Sequence, residues 1–276
     1  MALTLAGTPI GNLKDASESL REALASAEVI AAEDTRRARN LLSGLGISTQ
    51  ATLVSYFDGN EAARAQELLR KLRDGASVLV ISDAGMPTIS DPGYRLVTAA
   101  VAEGIEVNVV PGPSAVLVAL ALSGLPTDRF CFEGFLPRKT TERARRLASL
   151  ADEERTMVFF ESPHRLEDFL TAAIAAFGPG RQASVSRELT KVFEETRRGT
   201  LAELAQWASE GVRGEVTVCV AGRLEAEQVA IEDAVELVLA AVKDGVALSA
   251  ASAHVAAQTE YSRSELYDLA RRARDE

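Results

Sequence analysis

Three clusters rich in glycine and proline each follow a strand-like run: Gly7-Thr8-Pro9-Ile10-Gly11-Asn12-Leu13, Asp83-Ala84-Gly85-Met86-Pro87 and Pro111-Gly112-Pro113-Ser114-Ala115. In an open α/β sheet the carboxyl ends of the strands form the ligand crevice, and glycine there lets the backbone approach a ligand with no Cβ in the way. Any one cluster reads equally well as an ordinary strand-to-helix turn; all three together can line one pocket. The third leads into a helix expected to begin near Ser114, whose free backbone N–H groups can hold a carboxylate or phosphate, such as the amino-acid end of a cofactor. The second continues as Thr88-Ile89-Ser90-Asp91-Pro92-Gly93, a long polar connection. Asp91 is read there as a cap for a helix starting near Tyr94, in preference to a ligand for ribose hydroxyls.

Absent motifs narrow the chemistry further. No GxxxxGK(S/T) loop occurs, and no GxGxxG follows the first strand, which weakens nucleoside triphosphatase and nicotinamide readings. His164 and His254 are the only histidines and the cysteines are not paired in sequence, so no metal site is expected. A serine nucleophile would need His164 of Glu161-Ser162-Pro163-His164-Arg165, yet no GxSxG elbow accompanies it. Basic clusters stand at Arg36, Arg37 and Arg39, from Arg138 to Arg146, at Arg197 and Arg198, and at Arg271, Arg272 and Arg274. Each alone reads as a solvated helix face. A net charge of −10 argues against unspecific coating of nucleic acid, since affinity for phosphate backbones comes from lysine and arginine.

The elements that must position these residues follow from the apolar pattern. The 276 residues are 47% apolar and 25% charged, enough for one large or two ordinary domains with real cores. Apolar stretches such as Ala115 to Leu122 fall well short of the ~20 residues that cross a bilayer, and no cleavable leader is recognised, so a cytoplasmic protein without membrane contact is expected. Cys131 and Cys219 lie inside apolar segments and read as buried reduced thiols.

Short runs rich in valine and isoleucine alternate with segments of helical period, the mark of an α/β protein. Strands are expected at Leu3 to Gly7, Val29 to Ala32, Leu53 to Tyr56, Val78 to Ser82 and Val107 to Val110. A second series follows at Arg129 to Glu133, Met157 to Glu161, Gln182 to Arg187 and Val216 to Ala221. Asp15 with Glu18 suggests a capping box for a helix whose core face is Leu20, Ala23, Leu24 and Ala27. The Pro111-Gly112-Pro113-Ser114 break sets a domain boundary. Beyond Glu225 only helical spacing remains: Ile231 to Val242, then Leu248 to Gln258 and Ser262 to Arg272. That last pair suits a helix-turn-helix module or, equally, a small helical cap.

Taken together, the runs GTPIGNL (7–13), AAEDTR (31–36), SDAGMPTISDPGYRLV (82–97), PGPSA (111–115), GLPTDRFCFEGFLPRK (124–139), FFESPHRL (159–166) and SRELTKVFEET (186–196) resemble the RsmI family in matching order. Those are the 16S ribosomal RNA 2′-O-ribose methyltransferases that act on a cytidine of the decoding centre, within the tetrapyrrole methylase superfold. The likeness extends from residue 3 to about 224; the helical tail is similar only in kind. It implies two α/β domains of the tetrapyrrole methylase type, 1–112 and 113–225, with S-adenosyl-L-methionine in the cleft between them. A small helical domain, 226–276, follows, and a homodimer acting on 16S ribosomal RNA in the small ribosomal subunit is implied.

Carried onto this sequence, the resemblance points to Pro9, Asp83, Gly85, Ile89, Ser114, Ala115, Phe135, Leu189 and Glu215 as cofactor-binding residues. Met86 departs from the pattern, standing where a threonine is expected, which puts a side-chain contact there in doubt. A sulfonium methyl donor is already activated, so the protein must align the acceptor oxygen, exclude water and deal with the hydroxyl proton. Lys191 and Glu188 are the candidates for that last task, the lysine acting as a desolvated base or as a charged stabiliser of the oxyanion. A structural ion-pair network of Arg187, Glu188 and Lys191 is the competing reading. Arg36, Arg138, Lys139, His164 and Arg187 are the candidate RNA contacts. Two other functions stay open: a small-molecule, tetrapyrrole-like methyltransferase on the same scaffold, and a non-catalytic RNA-binding protein.

Overall fold

The computed structural model describes residues 2–223, 230–256, 259 and 261–275. The chain divides into two compact units, 1–222 and 223–276. The first strand series becomes five parallel strands, β1 (Ala2–Ala6), β2 (Val29–Ala32), β3 (Thr52–Ser55), β4 (Val78–Ile81) and β5 (Glu106–Val110), in the order β3-β2-β4-β1-β5. Helices α1 (Glu18–Ser26), α2 (Thr35–Leu45), α3 (Glu61–Arg73) and α4 (Tyr94–Ala102) connect them.

Alternation along the strands decides which helix covers which face. Val29, Ala31, Val78 and Val80 pack with Leu68, Leu69 and Leu72 of α3 and Leu96 of α4. The residues between them, Ile30, Ala32, Leu79 and Ile81, pack with Leu20 and Leu24 of α1 and Ala38 and Leu42 of α2. All four residues of β4 are buried, as expected of a strand covered on both faces. The α1 cap differs from the expected box. Ser17 is the N-cap, its Oγ accepting from the Leu20 N–H at 3.1 Å, while Asp15 lies in a short 3-10 helix, Leu13–Asp15. Both Ser17 and Asp15 can cap, and the extended backbone at Ser17 puts its oxygen over the first turn.

The second series forms a mixed sheet of β6 (Phe130–Phe135), β7 (Thr156–Glu161), β8 (Gln182–Arg187), β9 (Glu195–Thr200) and β10 (Val216–Val220), in the order β6-β7-β10-β8-β9. It is not a repeat of the first, because β10 lies antiparallel to both β7 and β8. β9 was not expected, since Glu-Thr-Arg-Arg-Gly-Thr has no apolar alternation. It pairs only with β8, so as an edge strand it needs no second apolar face. Arg197 lies over the Trp207 ring, 5.1 Å from its centroid, and the Arg198 guanidinium donates to the Leu122 carbonyl, Nε at 2.8 Å.

Leu147, Phe169, Leu170, Leu201 and Leu204, from α6 (Thr140–Ala148), α7 (Leu166–Phe177) and α8 (Leu201–Ala208), cover one face of this sheet over Met157, Phe159, Val185 and Val218. On the other face lies α5 (Ala115–Ser123), with Val116, Ala119 and Leu120 against Val158, Cys219, Ile10 and Leu189. Ile10 comes from the first-strand loop, so this last cluster joins the two lobes. Cys219 is buried and Cys131 half-buried, both as free thiols.

In the C-terminal unit, α9 (Ile231–Lys243), α10 (Leu248–Ala256) and α11 (Arg263–Asp275) surround Ala234, Val238, Ala251, Val255, Leu266 and Ala270. The expected boundary at 225–226 and the expected end of the second tail helix at Gln258 lie outside the described residues. Among the described residues, no helix is long and apolar enough to cross a membrane.

Candidate active site

Backbone contacts pin the three glycine loops to one another. Thr8 N–H donates to the Gly85 carbonyl at 2.9 Å and Gly85 N–H returns to the Thr8 carbonyl at 3.1 Å, a two-residue antiparallel bridge between the first and second loops. Gly7 N–H donates to the Val110 carbonyl at 3.0 Å, tying the first loop to the strand before the third. Gly7 and Gly112 meet backbone to backbone: a Cβ on Gly7 would stand 2.6 Å from Gly112 Cα, and one on Gly112 2.7 Å from Gly7 Cα. No side chain fits at either position. Gly85 takes φ +79, which favours glycine for a separate reason.

Beside this junction lies a cavity of about 390 Å³, within the range that holds small organic ligands. Asp83, Gly85 and Ile89 line it from the second loop, Ser114 and Ala115 from the start of α5, and Phe135, Leu189 and Glu215 from the second lobe. Of the expected cofactor residues only Pro9 is elsewhere. It is buried beside Asp83 and Arg37 in two smaller depressions, while its neighbour Ile10 reaches the main cavity.

Two backbone devices aim side chains inward. Thr88 and Ser90 have φ of +75 and +64, and Glu188 and Thr190 have φ of +51 and +64. These are the only non-glycine residues with positive φ among the described residues, and each pair brackets an apolar residue of the cavity wall, Ile89 or Leu189. Such backbone costs of order 1–3 kcal/mol per residue and gathers at functional sites. On β6 the register against β7 shifts between Phe132 and Gly134, a bulge that redirects Phe135. Phe135 sits 5.5 Å from Phe160, centroid to centroid, making an aromatic wall. Ser114, also in the lining, is the N-cap of α5 with no side-chain cap bond, so the first-turn N–H groups are left for a ligand.

The acidic residues of the cavity were largely missed by sequence reasoning. Glu33, Asp91 and Glu161 all line it. Asp91 does not cap α4. Glu61 does so from α3, its Oε1 accepting from the Gly93 N–H at 3.0 Å. Burial first, then the Glu33 carboxylate, pushes the Asp91 carboxyl up to about 7, against the opposing Ser82 hydroxyl. Glu33 is also raised, again by burial first and then by Asp83. Asp83 is held in place: its Oδ1 accepts from the Asp34 N–H at 3.1 Å and its Oδ2 lies 3.4 Å from Arg37 Nε. The Glu161 side chain is fully buried. Its Oε1 accepts from the Ser162 N–H at 2.8 Å, while Oε2 has no hydrogen bond, with an Arg165 guanidinium nitrogen at 3.3 Å. Burial raises its carboxyl too. Both Glu33, directly after β2, and Glu161, closing β7, stand at strand carboxyl ends, a positional signal that would have found them.

Lys191 and Glu188 do not line the cavity. Lys191 Nζ donates to Glu188 Oε1 and to Glu215 Oε2, each at 2.9 Å. Burial works against the Lys191 charge, but these two bonds outweigh it and raise its pKa, favouring the charged form over a free base. The bond from Lys191 is the main cause holding Glu188 below its ordinary value. Arg187 belongs to a separate pair with Glu195, Nε to Oε2 at 2.7 Å. Arg36 pairs with Asp34 at 2.6 Å and Lys139 with Glu142 at 3.1 Å; both cations are exposed, as are Arg138 and His164, and none faces the cavity. Arg37, one residue from the chosen Arg36, does line it.

Comparison with known proteins places this geometry. A sequence profile described as "Tetrapyrrole (Corrin/Porphyrin) Methylases" matches residues 2–205. A protein of Mycobacterium bovis named "Ribosomal RNA small subunit methyltransferase I" is 51% identical, with 99% of this chain and 96% of that protein covered. A protein of the same name from Vibrio cholerae is 41% identical, covering 96% and 92%. Among solved structures, the methyltransferase CobJ has a TM-score of 0.62 at 23% identity over 80% of this chain and 94% of that one. Uroporphyrin-III C-methyltransferase from Thermus thermophilus, complexed with S-adenyl homocysteine, has a TM-score of 0.54 at 19% identity over 80% and 97%.

Proposed function

The chain belongs to the tetrapyrrole (corrin/porphyrin) methylase family, and on that premise we propose that it is an S-adenosylmethionine-dependent methyltransferase of small-subunit ribosomal RNA. At the finer level we read the reaction as 2′-O-methylation of the ribose of a cytidine in the decoding region of 16S RNA. The single observation that carries the site is the convergence, on one cavity, of the glycine loops of the first lobe, the uncapped start of α5 and the Leu189 turn of the second lobe.

The residues present fit the cofactor. The free N–H groups at Ala115 and Val116 suit a carboxylate, Ile10, Leu189 and Val216 give an apolar face for a flat base, and the exposed Glu215 carboxylate suits hydroxyls or an exocyclic amine. Phe135 and Phe160, with the acids that share the cavity, suit a sulfonium cation. When bound, S-adenosylmethionine supplies a methyl carbon already activated for transfer. The chain's own part is to hold the acceptor oxygen in line with that carbon, keep water out with its aromatic and aliphatic wall, and receive the hydroxyl proton.

The three-helix unit, with Arg263, Arg271, Arg272 and Arg274 on α11, supports a role in RNA capture. Division into lobes 1–112 and 113–225, a homodimeric state and a cytoplasmic location belong to the same proposal and rest on the resemblance. The deciding experiment incubates the protein with methyl-labelled S-adenosylmethionine and small subunits lacking the modification, then maps the label. Label on a ribose, resistant to alkaline cleavage, is expected; label on a base or on protein would reject the finer reading. Removing residues after 222 should weaken RNA binding and flatten its salt dependence with cofactor affinity unchanged. Equal RNA binding by that truncated protein would remove the tail from the interface.

A further inference from the structure

We propose that Asp91, on the polar connection after β4, is the group that takes the proton from the acceptor hydroxyl, and that Glu33 tunes it from the end of β2. The inference rests on the ribose-methylation reading and names a residue for its proton step. The residues first chosen from the sequence, Lys191 and Glu188, are bonded to each other and lie outside the cavity, so neither presents a free lone pair to an acceptor there.

Asp91 meets the requirements they miss. It lines the same cavity as the glycine loops and the start of α5. No arginine or lysine pairs with it among the ion pairs of the described residues, where Asp83 has Arg37 and Asp34 has Arg36. Glu33 from the end of β2, Asp83 from its own loop and Asp58 after β3 repel its charge and the Ser82 hydroxyl opposes them, while Arg37 of α2, the cation lining the same cavity, is paired with Asp83. A base so placed is half ionised near neutrality, where proton transfer is most effective. Its loop is fixed, with Thr88 and Ser90 held at positive φ and the next helix capped by Glu61. Across the sheet boundary Glu161, its side chain fully buried and its Oε2 3.3 Å from an Arg165 nitrogen, adds a further carboxyl to the residues lining this cavity.

The step balances. The hydroxyl proton passes to an Asp91 carboxylate oxygen as the ribose oxygen bonds to the methyl carbon. The carbon–sulfur bond breaks with its electron pair left on sulfur, yielding a neutral thioether, a methyl ether and a protonated Asp91. Water then removes that proton, restoring the carboxylate.

The test compares wild type, Asp91→Asn, Asp91→Glu and Glu33→Gln on small subunits, with single-turnover rates over pH 5 to 9, cofactor affinity by calorimetry and melting temperature. Wild-type rate should climb tenfold per pH unit in acid and level off near about 7, tracking the Asp91 carboxyl. Asp91→Asn should lose roughly a hundredfold or more in rate and all of the pH dependence, while its cofactor affinity stays within about threefold. Asp91→Glu should recover part of the rate. Glu33→Gln removes the strongest neighbouring charge, so its inflection should move to lower pH; this variant keeps the idea testable if Asp91→Asn fails to fold. A ¹³C-carboxyl NMR titration of the cofactor-free protein should contain one aspartate signal titrating near neutrality, missing in Asp91→Asn. A wild-type rate and pH profile in Asp91→Asn, or an unmoved inflection in Glu33→Gln, would overturn the assignment. The methyl position, mapped in the wild type first, separates this from failure of the ribose reading itself: label away from any 2′ oxygen brings down both, whereas a labelled ribose with an unaffected Asp91→Asn brings down only this one.

Discussion

The turns 88–91 and 188–191 use the same backbone device to opposite ends. Each forces two non-glycine residues to positive φ around an apolar residue of the cavity wall, and each carries an acid beside it. In the second turn the acid is satisfied: Glu188 bonds to Lys191 and to the Glu215 N–H at 3.1 Å, and its carboxyl is held low. Leu189 there is 7% exposed and belongs to the cluster that joins the lobes. In the first turn Ile89 is 45% exposed and Asp91, desolvated and among like charges, is held high. One turn is built as a wall and the other as a reagent. What separates them is whether a cation was provided, which spacing along the chain does not reveal.

Six substitutions can break or sharpen this contrast. The largest expected effect is on the wall: Leu189→Ala should cost about 2–4 kcal/mol of stability in urea unfolding. Ile89→Ala should stay within about 0.5 kcal/mol and instead weaken cofactor binding, and equal losses at both sites would erase the distinction. Next, Lys191→Met removes the bonds to Glu188 and the exposed Glu215 and should cost about 0.5–1 kcal/mol at pH 7. Because Glu188 is held below its ordinary range, that stabilisation is complete above the unfolded value of about 4.3 and is lost as pH falls through the lower folded value. The gap to wild type should therefore close in acid, and a gap independent of pH would deny the ion pair.

Asp91→Asn should act in the other sense. A carboxyl raised to about 7 weakens the folded state progressively as pH climbs from the unfolded value, about 3.9, through the folded one. The asparagine variant should melt higher than wild type at pH 8 and converge with it near pH 4; a lower melting point at pH 8 would place a stabilising partner on Asp91. Smallest, Thr88→Gly and Thr190→Gly should each gain roughly 0.5 kcal/mol by relieving backbone strain, measurable as a shift in urea midpoint.

Much of the fold is legible in the sequence because its signals are local. Val78 to Ile81 reads as a buried central strand from its residues alone, and the glycine loops announce themselves by composition. β9 was hidden because an edge strand needs only backbone pairing, which Thr-Arg-Arg-Gly-Thr supplies without a pattern. Of the expected cofactor residues, all but Pro9 line the cavity, whereas Glu33, Arg37, Asp91, Phe160 and Glu161 line it without having been assigned to it. Desolvation and the presence or absence of a partner are made by segments far apart in the chain. Asp91 was misread as a cap for that reason: the true cap, Glu61, comes from the preceding helix, out of reach of local spacing.

The residues lining the cavity run from Ile10 to Thr217 in the chain, and the loops that supply them are joined where Gly7 meets Gly112. The first lobe alone therefore supplies only part of this cavity, glycine loops included. β10, the last strand in the chain, lies between β7 and β8, and Glu215 to Thr217 at its start complete the lining. A product ending before that strand would lack this part of the cavity wall.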